Sequence, residues 1–195
     1  MPNKGFLLVT MQPPPAFEEE FNAWYDSEHI PERLAVPGIL TARRYLCADG
    51  HPKYLAMYDL ESHAVMQSPG YVRVGYENAS PWTKRVTSRV NPRRSTGDQI
   101  WPGNKLTLGG SAVLLARFRA VPLASAPDAV GAARKVFEAR PETLQLRVLA
   151  HDTGGAATDI MAFVEQRVPV STGIDMAPFG RLADHIDLFN GYRPY

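Results

Sequence analysis

Apolar residues along this chain alternate between short continuous runs and a helical period, and the order of these switches occurs twice. Residues 6–11, Phe-Leu-Leu-Val-Thr-Met, form a β-prone run ended by Pro13-Pro14-Pro15. From 16 to 34 the pattern turns helical, with Phe17, Phe21 and Trp24 on one face. Pro37-Gly38 stops that segment. Residues 39–47 and 54–60 read as two strands of a hairpin around the turn chemistry of Ala48-Asp49-Gly50-His51-Pro52. A second helical region covers 61–90, interrupted by Pro69-Gly70 and Pro81, and a strand follows over 94–101. The order is βαββαβ.

From Ser111 the same order returns. Strands are predicted over 112–121, 144–150, 160–168 and 186–192, the middle two joined by Asp152-Thr153-Gly154-Gly155. Helices are predicted over 126–139, with Val130, Ala133, Val136 and Phe137 on one stripe, and over 175–185 after Ser171-Thr172-Gly173. The halves share topology with little residue identity. The expected fold class is α+β: two tandem ferredoxin-like βαββαβ halves, 1–104 and 105–195, forming a pseudo-dimeric α+β barrel. Pro102-Gly103-Asn104 and Gly109-Gly110 would act as the linker. Each half makes a four-stranded antiparallel sheet with its helices on one face. The bare faces would pack together, with a small-molecule cavity expected between the sheets. An exposed sheet edge would also permit a homodimer.

Composition narrows the function classes. The 195 residues are 45% hydrophobic and carry 21 basic and 20 acidic side chains, a net charge of +1. That balance argues against nucleic acid or an anionic membrane as partner. The basic stretch Lys84, Arg85, Arg89, Arg93 and Arg94 reads as a solvated surface. A single cysteine, Cys47, forms no internal disulfide, and no apolar run approaches the ~20 residues of a membrane helix. The expectation is a cytoplasmic protein. No Cys-x-x-Cys, His-x-x-x-His, Gly-x-Ser-x-Gly or phosphate-binding glycine loop is present, so no metal is expected.

Candidate chemistry concentrates in Trp24-Tyr25-Asp26-Ser27-Glu28-His29-Ile30-Pro31. On an ideal helix Glu28 falls among Phe17, Phe21 and Trp24, and burying a carboxylate there is costly unless it is paired. One reading is structural: Pro31 kinks or ends the helix and lets Glu28 reach solvent or a partner. The other is functional: the break aims His29, Tyr25 and either Glu28 or Asp26 at the cavity. A histidine beside a carboxylate can exchange protons near neutral pH. Arg43 and Tyr45 share one face of their strand, and Arg44 alternates with Leu40, Ala42 and Leu46 as a structural guanidinium or an anion clamp. Tyr54, Ala56 and Tyr58 line one face of the next strand. Trp24, Trp82, Tyr45 and Tyr58 are the aromatic candidates for substrate contact, with Arg43 and Arg44 as the basic ones.

The run from Phe21 to Leu34, then Val36-Pro37-Gly38, Ala42-Arg43-Arg44-Tyr45, the stretch from Pro52 to Glu61, and Ser80-Pro81-Trp82-Thr83 resemble the EthD-like branch of the dimeric α+β barrel superfamily. The resemblance covers about residues 5–101; the second half lacks the Trp-Tyr-x-x-x-His-x-Pro pattern. It implies a cofactor-independent enzyme of isomerase, lyase or monooxygenase type, acting by acid/base chemistry on a small aromatic, polyketide or lactone compound. His29 would be the acid/base group, with Tyr25 and Tyr58 polarising the substrate and Arg43 or Arg44 holding a carboxylate. The alternatives are a non-catalytic small-molecule-binding barrel and a haem-binding member, whose proximal ligand pattern has no counterpart here.

Overall fold

The computed structural model describes residues 3–47, 49–170 and 172–195. Ala48 and Ser171, which belong to two of the predicted turns, lie outside the described residues. The first half runs β1 (Gly5–Met11), a 3-10 turn, α1 (Glu18–Trp24), a π-helical turn (Tyr25–His29), α2 (Ile30–Leu34), β2 (Ile39–Leu46) and β3 (Tyr54–Leu60). After a 3-10 turn at His63–Gln67 come α3 (Pro69–Arg73), α4 (Pro81–Val90) and β4 (Arg93–Trp101). The second half runs β5 (Ala112–Pro122), α5 (Ala126–Ala133), a π-helical turn (Arg134–Glu138), β6 (Thr143–His151), β7 (Ala157–Gln166), a 3-10 helix (Ala177–His185) and β8 (Ile186–Pro194). The 3-10 helix stands where an α-helix was predicted over 175–185. It is interrupted at Gly180, whose φ of 51° is left-handed. Gly38 stops the first helical segment for a similar reason: its φ is 92°, and a Cβ there would meet Val65 at 2.6 Å.

The eight strands close into one antiparallel barrel in the order β1-β3-β2-β8-β5-β7-β6-β4. Each half contributes its strands in the same spatial order, fourth-first-third-second. The two seams are β2 with β8 and β4 with β6. β1 is buried on both faces because it has the helices on one side and the barrel interior on the other, which is why its sequence lacks alternation. Leu7, Val9 and Met11 face the helices, while Phe6 and Leu8 face inward.

The expected cavity between the sheets is filled. Phe6, Leu8, Leu55, Met57, Leu115 and Phe163 are among the side chains that pack the barrel interior, each contributing about 1.5–3 kcal/mol by burial. Because closure pairs every strand on both sides, the free sheet edge that suggested a homodimer is absent among the described residues. The segment between the halves is not a loose linker either. Thr107 N donates to Asp59 Oδ2 at 2.7 Å, and Leu108 N and Gly109 N donate to Glu165 Oε1 at 2.8 and 2.9 Å. Gln99 also bonds Lys105 through both ends of its amide. The buried pair Arg147 Nη1 to Asp59 Oδ1 (2.5 Å) joins the two halves at this end of the barrel. Burial pushes the Asp59 carboxyl up, but Arg147, Thr41 and the Thr107 N–H more than offset it and leave it below its ordinary value.

Candidate active site

The site forms between α1, its π-helical turn and α4 on one side and the outer face of β1, β3 and β4 on the other. Pro31 neither ends nor sharply kinks the helix. It has no N–H to give, and the chain widens into a π turn at Tyr25–His29, where Ile30 N donates to Tyr25 O, before continuing to Leu34. Such a turn inserts an extra residue, so the faces of an ideal helix no longer apply beyond Trp24. Tyr25 and His29 are both buried and packed edge to face, with ring centroids 5.0 Å apart. Trp24 lies over the other side of His29 at 4.4 Å.

These residues enclose a cavity of about 30 Å³, bounded also by Tyr58, Arg33, Arg94, Tyr71 and Val86. It has room for a water molecule or two. Tyr58 donates its hydroxyl to the Tyr25 hydroxyl at 3.3 Å. Burial raises the pKa of both phenols, so both stay protonated; Tyr58 donates its O–H to Tyr25, which keeps its own O–H free to donate. His29 is 9% exposed. Its pKa is lowered well below 6.5, first by burial and then by the positive charges of Arg33, Arg94 and Arg44. Nδ1 is enclosed with no hydrogen-bond partner, which leaves Nε2 as the nitrogen with access. Arg33 Nη2 donates to Val74 O at 2.7 Å, its Nη1 has no partner, and its nearest carboxylate oxygen, on Glu32, is 3.9 Å away. The cavity thus has a mixed polar and apolar wall, a relayed pair of phenols with one free O–H, one neutral imidazole, and excess positive charge.

The structure separates the other predicted residues from His29. Glu28 is a tie between helices: its Oε1 accepts from Ser80 Oγ at 2.6 Å and Thr83 Oγ1 at 2.8 Å, and Ser80 caps α4. Trp24 Nε1 donates to the same Thr83 hydroxyl at 2.9 Å. Asp26 is turned outward and accepts from Arg44 Nη1 at 2.6 Å. Neither acid bonds to the imidazole, so no carboxylate sets its tautomer. Arg44 is the structural guanidinium of the two readings, stacked on Tyr25 and Tyr195 with its charge met by Asp26 and Asn22. Arg43 is exposed. Tyr45 points into the barrel beside Phe163, because successive strand residues face opposite sides. Trp82 is half-buried and donates to Glu20 at 3.1 Å, outside the cavity wall.

Sequence reasoning missed Arg33, Arg94 and Tyr71. The signal for Arg94 was available: it sits opposite Val9 in the β1–β4 pairing, on the helix-facing side. Arg33 and Tyr71 had no such signal, since the π turn sets the angle of one and the other comes from α3.

The equivalent layer of the second half holds no such site. Phe118 and Phe179 stack at 4.5 Å, and Phe137, Val136 and Leu146 fill the rest. His151 and His185 bond to backbone through Nδ1 and face neither layer's core. A haem does not fit these residues: the one imidazole facing a helix–sheet layer borders a cavity of about 30 Å³, and the other layer is closed by phenylalanine rings. Among the described residues no group of three or more His, Cys, Asp or Glu is arranged to hold a metal ion. Among the described residues no helix is long and apolar enough to cross a membrane.

No family model matches the sequence, and no curated protein matches it. Solved structures do. An anthrone oxidase-like protein superposes with a TM-score of 0.70 at 13% identity, over 100% of this chain and 92% of its own. A protein named a monooxygenase, from Lactobacillus acidophilus NCFM, gives 0.56 at 8% identity, over 99% of this chain and 93% of its own. A mutant chlorite dismutase from Candidatus Nitrospira defluvii gives 0.55 at 10% identity, over 98% and 90%. Together with the closed eight-stranded barrel, these likenesses identify the fold as that of the dimeric α+β barrel proteins.

Proposed function

We propose that the protein is a cofactor-independent enzyme that removes a proton from an acidic carbon or phenol of a small aromatic or polyketide-like ketone. The observation that carries this reading is the convergence of a neutral imidazole, two protonated tyrosines and two arginines on one small cavity. His29 accepts the proton, and the Tyr25–Tyr58 pair donates a hydrogen bond to the carbonyl oxygen on which negative charge develops. Arg33 and Arg94 disfavour an imidazolium, and the same field favours the enolate or phenolate formed with it. An anion seated beside them cancels part of that field and restores basicity to His29. The resemblance of residues 5–101 to the EthD-like branch, and the likeness to an anthrone oxidase-like structure, support an aromatic ketone as the first substrate to try.

Anthrone is the test compound. Under nitrogen in D₂O the protein should accelerate exchange of the C10 hydrogen; under air, loss of anthrone with one O₂ should give anthraquinone and water. His29→Ala should lower the exchange rate by about 100-fold or more while the melting temperature stays near wild type. Exchange unaffected by this change would overturn the role of His29. The second reading, a binding protein without catalysis, draws on the absence of a carboxylate on His29. It predicts that anthrone raises the melting temperature with no exchange at all.

A further inference from the structure

The cavity at His29 has room for the reacting edge of a ketone and not for its whole body. A second cavity, of about 400 Å³, opens where β1 runs out, and Met11 and Val90 line both spaces. That volume lies in the range of small-molecule sites. The two spaces therefore share two apolar side chains in their walls, one from the end of β1 and one from the last turn of α4. Val90 is followed by Asn91, which leaves the helix in a left-handed conformation (φ 48°) and turns the chain into β4.

The lining of the outer space is different in kind. It includes Gln12, His51, Arg93 and the Arg117–Asp187 pair. Arg117 is neutralised by Asp187 through two hydrogen bonds of 2.8 and 2.9 Å. Gln12 Oε1 is shared between His51 Nδ1 and Lys53 N. Arg93 has no acidic partner among the described residues, so it supplies the uncompensated charge of this space. Arg93 and Arg94 are consecutive on β4, and consecutive strand residues face opposite sides. One guanidinium thus borders each compartment.

We propose that the outer space is the recognition compartment of the same site: it takes the aromatic body and the acidic end of an elongated substrate, the latter held by Arg93, while only the ketone edge reaches past Met11 and Val90 to His29. This rests on the reading of His29 as the head of the site, and it specifies the substrate class as an aromatic body carrying a carboxylate or sulfonate-like anion. Met11 and Val90, in the shared wall, set how much of the ketone edge can approach His29.

Two fluorescent probes share one aromatic body and differ in charge: 8-anilinonaphthalene-1-sulfonate and neutral N-phenyl-1-naphthylamine. The wild-type protein should bind the sulfonate more tightly by about tenfold. Arg93→Gln should remove that preference, and added salt should weaken it. In NMR spectra the sulfonate should shift the His29 Cε1–H resonance in wild type. Met11→Trp, or Val90→Phe if the first fails to fold, should abolish that shift while retaining the Arg93-dependent preference. Equal affinity for the two probes, or a preference that survives Arg93→Gln, overturns the recognition compartment. Binding in wild type without any change at His29 overturns the connection. Because these readouts are binding, they hold or fail independently of whether anthrone exchanges its proton.

Discussion

At the scale of the residue, His29 is defined more by what is missing around it than by its partners. It has no carboxylate, its Nδ1 is enclosed, and three guanidiniums act on it. The unfolded chain takes up a proton near pH 6.5, whereas the folded chain resists it to well below that value. Between those two pKa values the unfolded state binds more protons, so stability falls as pH drops below about 6.5. The expected outcome is a melting temperature that declines from pH 7 towards 5 in wild type and declines less in His29→Asn. An imidazole that titrates with an ordinary midpoint by NMR would show that burial does not dominate here.

At the scale of the element, the first helix is held to α4 by a carboxylate that looked like chemistry. Glu28 accepts two hydroxyl hydrogen bonds, one of them from the residue that caps α4. Glu28→Ala should cost about 1–3 kcal/mol in urea denaturation, the range for hydrogen bonds to a charged acceptor. It should leave the His29 titration in place, since Glu28 does not touch the ring. The π turn is the other feature of this scale. It occurs at the corresponding place in both halves, Tyr25–His29 and Arg134–Glu138, although only the first carries a histidine. It therefore belongs to the way this helix meets the barrel, and the site uses a geometry the fold already has.

At the scale of the molecule, the two halves are tied by a buried ion pair and by the backbone hydrogen bonds of the segment between them. Arg147 is fully buried, donates to Asp59 and Thr107, and lies over Phe163 at 4.8 Å. Arg147→Met strips Asp59 of its cation and should cost about 3–5 kcal/mol in urea denaturation. Asp59→Asn in the same chain should recover part of that loss, because the uncompensated charge is removed. If Arg147→Met is neutral, the pair does not hold the halves together.

Local pattern alone determined the order of elements in this protein. Continuous apolar runs, Pro-Gly punctuation and a helical stripe are short-range properties, and they marked seven of the eight strands to within a residue or two at each end; β7 begins three residues earlier. They also singled out Tyr25, His29 and Tyr58, which line one cavity in the fold. What depended on distant parts of the chain was not legible in the same way. Glu28 and Asp26 were separated from His29 by partners 52 and 18 residues away, and Arg33 joined it through a π turn that no ideal helix contains. The cavity expected between the sheets is filled, and the one that His29 lines lies between helix and sheet. The reason is volumetric: once eight strands close, their inward side chains fill the barrel, and the room left is where small and large residues of a helix and a sheet meet imperfectly.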